Sequence, residues 1–241
     1  MVDRAKFVES INNVLKEVGI LNIVNKDPSI YIGGSLPSLI YSQILNNRYD
    51  KVTCNDIDLY TNNYIRTLHN FSKYIGNKMT SIKRVGVNLT FTLEGSNMPI
   101  QIITSEFKSF IDDVLGNYDC TLVAIGFHPF TNDVIIHSQF IDGLNNKKFI
   151  CFYERSNPKR INKLITRSNQ WYNAELHVIK ETDDADFRPY YKKTYRIKSI
   201  HDIVSPPNYV QIYHNRFNCI SCGVQQMNLI CPHCAKHIEY I

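Results

Sequence analysis

Apolar residues recur at helical spacing near the start of the chain, where Phe7, Ile11, Val14, Leu15 and Val18 follow Asp3. That period predicts an amphipathic helix with Asp3 as its N-cap. A short apolar run, Ser29-Ile30-Tyr31-Ile32, predicts a strand that runs into Gly33-Gly34-Ser35. A helix should follow at once, because Pro37 suits a first turn and Leu36, Leu39, Ile40 and Ile44 form a stripe. After a polar loop through Asn46 and Asp50, Asp56-Ile57-Asp58-Leu59-Tyr60 alternates with period two and predicts a second strand.

Further along, Ile65, Leu68, Phe71 and Ile75 predict a helix over 64–75 with Gly76 as its stop. Residues 87–93 and 99–104 read as strands joined by the hairpin-like turn Glu94-Gly95-Ser96-Asn97. The sequon Asn88-Leu89-Thr90 then falls within a strand and is read as accidental. Residues 107–115 read as helix, and 120–127, 134–140 and 149–153 as strands. A basic helix is expected over 158–177, opened by Pro158 and carrying Trp171. The acidic run 181–186 reads as a solvated loop, and Ser205-Pro206-Pro207 as a break before a cysteine-rich end. The expected organisation is an α/β (α+β) domain over 1–180, a connecting segment over 181–213 and a small module over 214–241.

A hydrophobic content of 44% against 20% charged residues excludes a disordered chain. The net charge of +5 is compatible with a phosphate-bearing partner and decides nothing more. No apolar run approaches the ~18 residues that span a bilayer. No apolar stretch follows the charged residues 1–6, so no secretory signal or membrane partner is expected and a cytoplasmic setting is. The surplus of Asn, Ile, Lys and Tyr suits an AT-rich genome such as that of a virus or phage, for which the setting is the host cytoplasm. In such a setting seven cysteines point to reduced thiols or metal ligation.

Two glycines at a strand-to-helix turn let the backbone approach a ligand closely, and the helix N-terminus behind them offers N–H groups to a phosphate. Gly-Gly also makes ordinary tight turns. Asp56 and Asp58 share one strand face, where they repel each other unless a divalent cation sits between them. A solvated strand edge is the plain alternative for an isolated Asp-x-Asp. Together, one helix apart, the two motifs point to Mg²⁺ or Mn²⁺ at Asp56 and Asp58, with nucleotide phosphates at Gly33, Gly34 and Ser35.

Gly33-Gly34-Ser35, a helix and Asp56-Ile57-Asp58 resemble the signature of the nucleotidyltransferase superfamily, which includes DNA polymerase beta and CCA-adding enzymes. The resemblance runs over 29–175. Pro99-Ile100-Gln101-Ile102-Ile103, Asn117-Tyr118-Asp119-Cys120 and residues 160–172 are similar to uncharacterised members from large DNA viruses, phages and microbial eukaryotes. It implies a mixed sheet flanked by helices and transfer of a nucleoside monophosphate from an NTP to an acceptor, RNA, DNA, protein or small molecule. It also implies a third carboxylate on a later strand, where this chain has Gln101. An amide does not take up a proton as a carboxylate does. Asp119 is the preferred substitute, with Glu94 and Glu106 behind it. Without one, the chain is a noncatalytic binding module on the same fold.

Cys219-Ile220-Ser221-Cys222 and Cys231-Pro232-His233-Cys234 are two Cys-x-x-Cys pairs with eight residues between them. Each pair brings two thiolates to one metal, and two pairs complete a tetrahedral Zn²⁺ site, so a short structural zinc ribbon is expected. Two disulfides or a redox pair are the alternatives, and His214, His233 and His237 are alternative ligands. With Arg216 and Lys236 they form a modest patch for nucleic acid or a protein partner. Cys54, Cys120 and Cys151 stand alone and read as small hydrophobes. Lys159, Arg160, Lys163 and Arg167 can line one side of the basic helix, facing either phosphates or solvent. Residues 190–196 interleave aromatics with cations, which suits single-stranded nucleic acid and equally an exposed strand.

Overall fold

The computed structural model describes residues 2–48, 52, 54–85 and 88–179, and beyond them the backbone of strands at 194–196, 217–219, 225–226 and 238–240. Helix α1 (Arg4–Val18) buries Phe7, Ile11, Val14, Leu15 and Val18, as their spacing requires. The Asp3 carboxylate accepts from the N–H groups of Ala5 and Lys6, and left-handed Gly19 ends the helix. A single turn, α2 (Leu21–Val24), leads to β1 (Ile30–Gly33), and α3 (Ser35–Leu45) starts directly behind Gly34. Strand β2 (Ile57–Thr61) buries Ile57, Leu59 and Thr61 on one face. Helix α4 (Tyr64–Ile75) buries Leu68, Phe71 and Ile75 but leaves Ile65 half-buried. Gly76 does not stop it in a left-handed cap; at φ −56° the chain tightens into a 3₁₀ turn.

Strand β3 (Met79–Val85) escapes the pattern reading because a bulge between Thr80 and Lys83 breaks its alternation. Strands β4 (Asn88–Leu93) and β5 (Ile100–Thr104) form the expected antiparallel pair. The helix expected over 107–115 is instead one π turn (Phe110–Val114) and one 3₁₀ turn. There the Asp113 carboxylate holds the N–H groups of Lys108 and Ser109, and Phe110 stacks on Tyr31 at 4.6 Å. The strand expected over 120–127 begins as a 3₁₀ turn (Thr121–Val123) and becomes β6 (Ile125–His128). The expected strand over 134–140 is β7 (Asp133–Ile136) followed by α5 (Ser138–Asn146), which buries Phe140 and Gly143 against the core. Strand β8 (Lys148–Phe152) leads to α6 (Pro158–Tyr172). That helix ends at left-handed Asn173, short of the expected 177, because β9 (Glu175–Ile179) pairs in parallel with β8.

The main sheet has the order β10-β3-β4-β5-β2-β1-β6-β7, with β10 (Thr194–Arg196) on its edge. Only β2 and β5 pair in parallel there. Helix α3 packs on β1, β2 and β6, and α1 packs on α3. The face they cover holds Ile57, Leu59, Leu89, Phe91, Ile100 and Ile102, all fully buried. Burying six such side chains contributes about 10 kcal/mol or more at roughly 1.5–3 kcal/mol each. The opposite face carries Asp58, Tyr60, Thr90 and Gln101, only partly buried. This is the mixed α/β fold that the strand–turn–helix order implied. Strands β11 (Phe217–Cys219), β12 (Gln225–Gln226) and β13 (Ile238–Tyr240) form a small antiparallel sheet, ordered β12-β11-β13. Among the described residues, no helix is long and apolar enough to cross a membrane.

Candidate active site

Antiparallel pairing of β1 with β2 sets Gly33 opposite Asp58. Gly34 then turns the chain at φ 74° and ψ −142°, a region open essentially to glycine alone. A β-carbon at Gly34 would collide with Asp58 Oδ2, and one at Gly33 with the Tyr118 hydroxyl. The two glycines are thus needed for closeness to the site's own side chains. The Gly34 N–H donates to Tyr118 Oη at 2.9 Å, so that amide already has an acceptor. Ser35 differs. It opens α3, is 8% exposed, and its Oγ has no hydrogen-bond partner among the described residues. The helix N-terminus it begins has no side-chain cap, which leaves N–H groups available to an anion.

Alternation along β2 puts Asp58 and Tyr60 on the face away from the helices, and Asp56 lies one residue ahead of the strand, close enough to act on Asp58. Burial pushes the Asp58 carboxyl up to about 7, and the neighbouring Asp56 charge adds to the rise. Arg160, Arg167 and Lys163 oppose it. The same negative field reaches the neighbours. Cys54 is pushed up to about 11 by burial, then by Asp56 and more weakly by Asp58. Tyr60 is raised by burial and then by Asp58. Among the described residues, no hydrogen-bond donor reaches the Asp58 carboxylate.

In the parallel register of β2 with β5, Gln101 sits directly beside Asp58. Among the described residues, no group of three acidic, His or Cys side chains gathers as a metal-ligand set. The donor set is the pair Asp56 and Asp58. Two carboxylates completed by water and substrate phosphates suit Mg²⁺, which seldom takes an all-protein cage. Asp119 is engaged elsewhere. Arg160 grips it with Nε on Oδ2 and Nη2 on Oδ1 at 2.7 Å, and the Ser156 hydroxyl donates to Oδ2. Both oxygens are occupied, so Asp119 orients Arg160. Glu94, on the β4–β5 turn, and Glu106 are exposed.

Helix α6 forms the opposing wall. It buries Ile161, Leu164, Ser168 and Tyr172, and the Tyr172 hydroxyl donates to the Ser38 carbonyl of α3. Fixing that face turns Arg160, Lys163 and Arg167 toward the acids. Asp58 influences Arg160, whereas Asp56 influences Lys163 and Arg167 more strongly than Asp58 does. Arg167 also lies 4.9 Å from the centre of the Trp171 ring. The sequence reading assigned no role to Tyr118, Tyr60 or Ser156. Tyr60 is placed by the alternation of β2, whereas Tyr118 and Ser156 reach the site only through the packing of residues 105–124 and of the segment leading into α6. Cys120 and Cys151 are fully buried, face each other across a β-bridge and share a thiol contact. Cys54 is partly buried against Met98.

Cys222, Cys231 and Cys234, expected from the sequence to bind zinc, lie outside the described residues, as do His214, His233, His237, Arg216 and Lys236. The acidic run 181–186, the break at 205–207 and residues 190–193 lie outside them too. Of Cys219, the structure describes only the backbone, at the end of β11.

Residues 2–147 match the Gabija anti-defense 2 family protein, Gad2, over well more than half of the chain. The chain belongs to this family. The Gad2 match includes the glycine turn, Asp56, Asp58, Gln101 and Asp119, and stops before α6. Among curated proteins, none matches the chain by sequence. Solved structures show the fold. A CCA-adding enzyme with CTP is 16% identical at a TM-score of 0.52, over 73% of this chain and 43% of that one. The Thermotoga maritima CCA-adding enzyme complexed with tRNA is 19% identical at 0.50, over 76% and 44%. This Gad2 chain therefore has a nucleotidyltransferase-like fold and spans less than half the length of those structures.

Proposed function

We propose that this Gad2 protein transfers a nucleoside monophosphate from an NTP to an acceptor, in the service of the anti-defense role its family description names. The observation that carries the reading is Asp58, a partly buried carboxylate with no donor among the described residues, set beside Asp56 and under the Gly34 turn. A structural acid gains hydrogen bonds on burial; one left without them is stabilised by a cation. Asp56 and Asp58 would hold Mg²⁺ or Mn²⁺, which supplies charge neutralisation on the triphosphate and on the departing pyrophosphate. Ser35 Oγ and the N-terminus of α3 receive phosphate oxygens. Arg160, held by Asp119 and Ser156, faces the developing charge from α6. Asp119 acts in this reading through Arg160. The CCA-adding structures, in complex with CTP or tRNA, make an NTP and a nucleic-acid partner the natural first candidates.

We extend the proposal to the chain's organisation: a nucleotidyltransferase-like domain over 1–180, a connecting segment over 181–213, and a zinc ribbon over 214–241. Cys219, Cys222, Cys231 and Cys234 are its proposed Zn²⁺ ligands, and the ribbon is a contact surface for nucleic acid or protein. Metal analysis should find about one zinc per chain, lost when Cys219 and Cys231 are both changed to serine.

A second reading, a noncatalytic binding module, draws on Gln101 beside Asp58. Incubation with each labelled NTP, Mg²⁺ or Mn²⁺ and mixed acceptors separates the two. Label transfer abolished by Asp56→Ala/Asp58→Ala establishes catalysis. Nucleic-acid affinity indifferent to those changes, with neither NTP binding nor transfer, leaves the binding module.

A further inference from the structure

Two consecutive side chains hold the two walls of the cleft. Tyr118 and Asp119 follow the 3₁₀ turn Leu115–Asn117, and the backbone is extended at Tyr118 and again at Cys120. Extended backbone sends neighbouring side chains to opposite sides. On one side, the Tyr118 hydroxyl accepts from the Gly34 N–H at 2.9 Å and fills the space over Gly33 that a β-carbon would need. The Tyr118 ring lies tilted against Tyr60 of β2, with centroids 6.1 Å apart. On the other, Asp119 takes the Arg160 guanidinium with both oxygens and the Ser156 hydroxyl with one.

The segment that carries these side chains is itself moored. Asn117 Nδ2 donates to the Asp113 carbonyl at 3.1 Å, and the Phe152 N–H of β8 donates to the Asp119 carbonyl at 2.9 Å. Cys120 bridges to Cys151, and Ser38 Oγ of α3 donates to the Leu122 carbonyl at 2.7 Å. Backbone contacts to β8 and to α3 therefore fix the segment on both flanks. Gly34 needs the support of Tyr118. At φ 74° and ψ −142° its backbone is in a sparsely populated region that persists only where the surroundings fix it. Ser35, whose Oγ has no hydrogen-bond partner among the described residues, comes next. The Gly34 peptide thus sets where that hydroxyl and the first N–H groups of α3 point.

Resting on the nucleotidyl-transfer reading above, we propose that Tyr118 is a positioning residue of the nucleotide site, and that with Asp119 it forms a clip that fixes the gap between the glycine turn and Arg160. Each acts through another residue, Tyr118 through Gly34 and Asp119 through Arg160. A triphosphate has to meet the N-terminus of α3 and Arg160 at once. In such a site a misplacement of about 1 Å costs roughly 10²-fold. Because the two side chains are adjacent on one moored segment, a single piece of chain sets both walls. The Gly34 N–H is then a fixed part of the scaffold, and the phosphates are received by Ser35 and the amides behind it.

The full chain tests this with Mg²⁺ and each of the four α,β-methylene NTPs, which bind without releasing pyrophosphate. Hydrogen exchange at the Gly34 amide reads the contact directly. In the wild type it should be about 100-fold or more slower than in an unstructured chain, and exchange at the unstructured rate overturns the proposal. Tyr118→Phe keeps the ring against Tyr60 and removes only the acceptor. It should speed Gly34 exchange and raise the Kd of the bound analogue, each roughly tenfold or more, with the thermal melt retained. Tighter binding in this variant would make the hydroxyl a competitor of phosphate for the Gly34 amide. Unchanged binding with a lowered melt would make Tyr118 a packing residue only. Either result overturns the proposal. Where Tyr118→Phe does not fold, Asp119→Asn decides: the clip requires several-fold weaker binding at an unchanged melt, and no change overturns it. Binding that depends on Asp56 and Asp58 but is indifferent to both variants removes the clip and spares the nucleotide site. A wild type with no such binding removes the site reading and the clip together.

Discussion

Two aspartates at neighbouring strands of the same sheet, one just ahead of β1 and one on β2, are treated in opposite ways. Asp27, just ahead of β1, is fully buried and surrounded by donors. It accepts from the Ser29 N–H at 3.1 Å, the Ser29 hydroxyl at 2.6 Å, the Thr67 hydroxyl at 3.3 Å and Asn70 Nδ2 at 3.0 Å. Arg66 adds a longer contact at 3.7 Å. Asp58, on β2, has none of this. It lies against glycines, tyrosines and another acid, and burial pushes it up to about 7. The fold ties its first strand to α4 with the satisfied acid and leaves the other one wanting a cation. The structural carboxylate and the one proposed to hold a cation are told apart here by their donors, since both are aspartates.

The comparison breaks most visibly at Asp27. Asp27→Ala takes the acceptor from the Ser29 N–H and Asn70 Nδ2 and leaves the Ser29 and Thr67 hydroxyls only Thr61 to share, and should cost about 3–5 kcal/mol in chemical denaturation. An effect below about 1 kcal/mol would show that Asp27 is not an anchor. Next comes the Gly34 turn. Gly34→Ala places a methyl group into Asp58 Oδ2 at a φ that alanine avoids, and about 2 kcal/mol or more should be lost, with Mg²⁺-dependent NTP binding.

Asp58 should behave with the opposite sign. Its folded-state pKa of about 7 lies above the unfolded value near 4. Metal-free stability is therefore fully present below about pH 4 and falls as the pH rises toward 7. Asp58→Asn should flatten that dependence and raise metal-free stability by roughly 1–3 kcal/mol at pH 8, while abolishing metal-dependent binding. A loss of stability in the same variant at pH 8 would place Asp58 with Asp27 among the structural acids. The smallest stability effect is expected at Asp119. Its partner Arg160 is 46% exposed, so Asp119→Asn should cost about 1 kcal/mol or less. The readout that matters is a several-fold loss in kcat/KM for the NTP, because Arg160 loses its anchor.

The strand expected from Asp56 starts at Ile57. That Asp58 points away from Ile57 and Leu59 was legible, because a strand's two-residue period fixes which side chains share a face. The same applies to Gly33-Gly34 at the head of α3, to the α1 stripe, and to Gln101 as the neutral residue on β5. Asp119 was not legible. Its place in sequence suggested a carboxylate in reserve, and only the approach of Arg160 and Ser156 from the start of α6 gave it another task. Residues 107–115 have helical composition, yet the stacking of Phe110 on Tyr31 and the backbone contacts of Asp113 hold them as single turns. Strand β3 was hidden by its bulge.

The sequence by itself determined the local elements whose apolar period is unbroken, the strand–glycine–helix order and the acidic pair. These depend on residues within a few positions of one another. Tertiary structure decided which acid is satisfied and which is not, since Thr67 and Asn70 of α4 complete the donors that Ser29 begins at Asp27, and the grip on Asp119 comes from α6. It also decided that Arg160, Lys163 and Arg167 face the acids. A helix has several faces, and burial of Ile161, Leu164, Ser168 and Tyr172 against the core chose which one was left for the cleft.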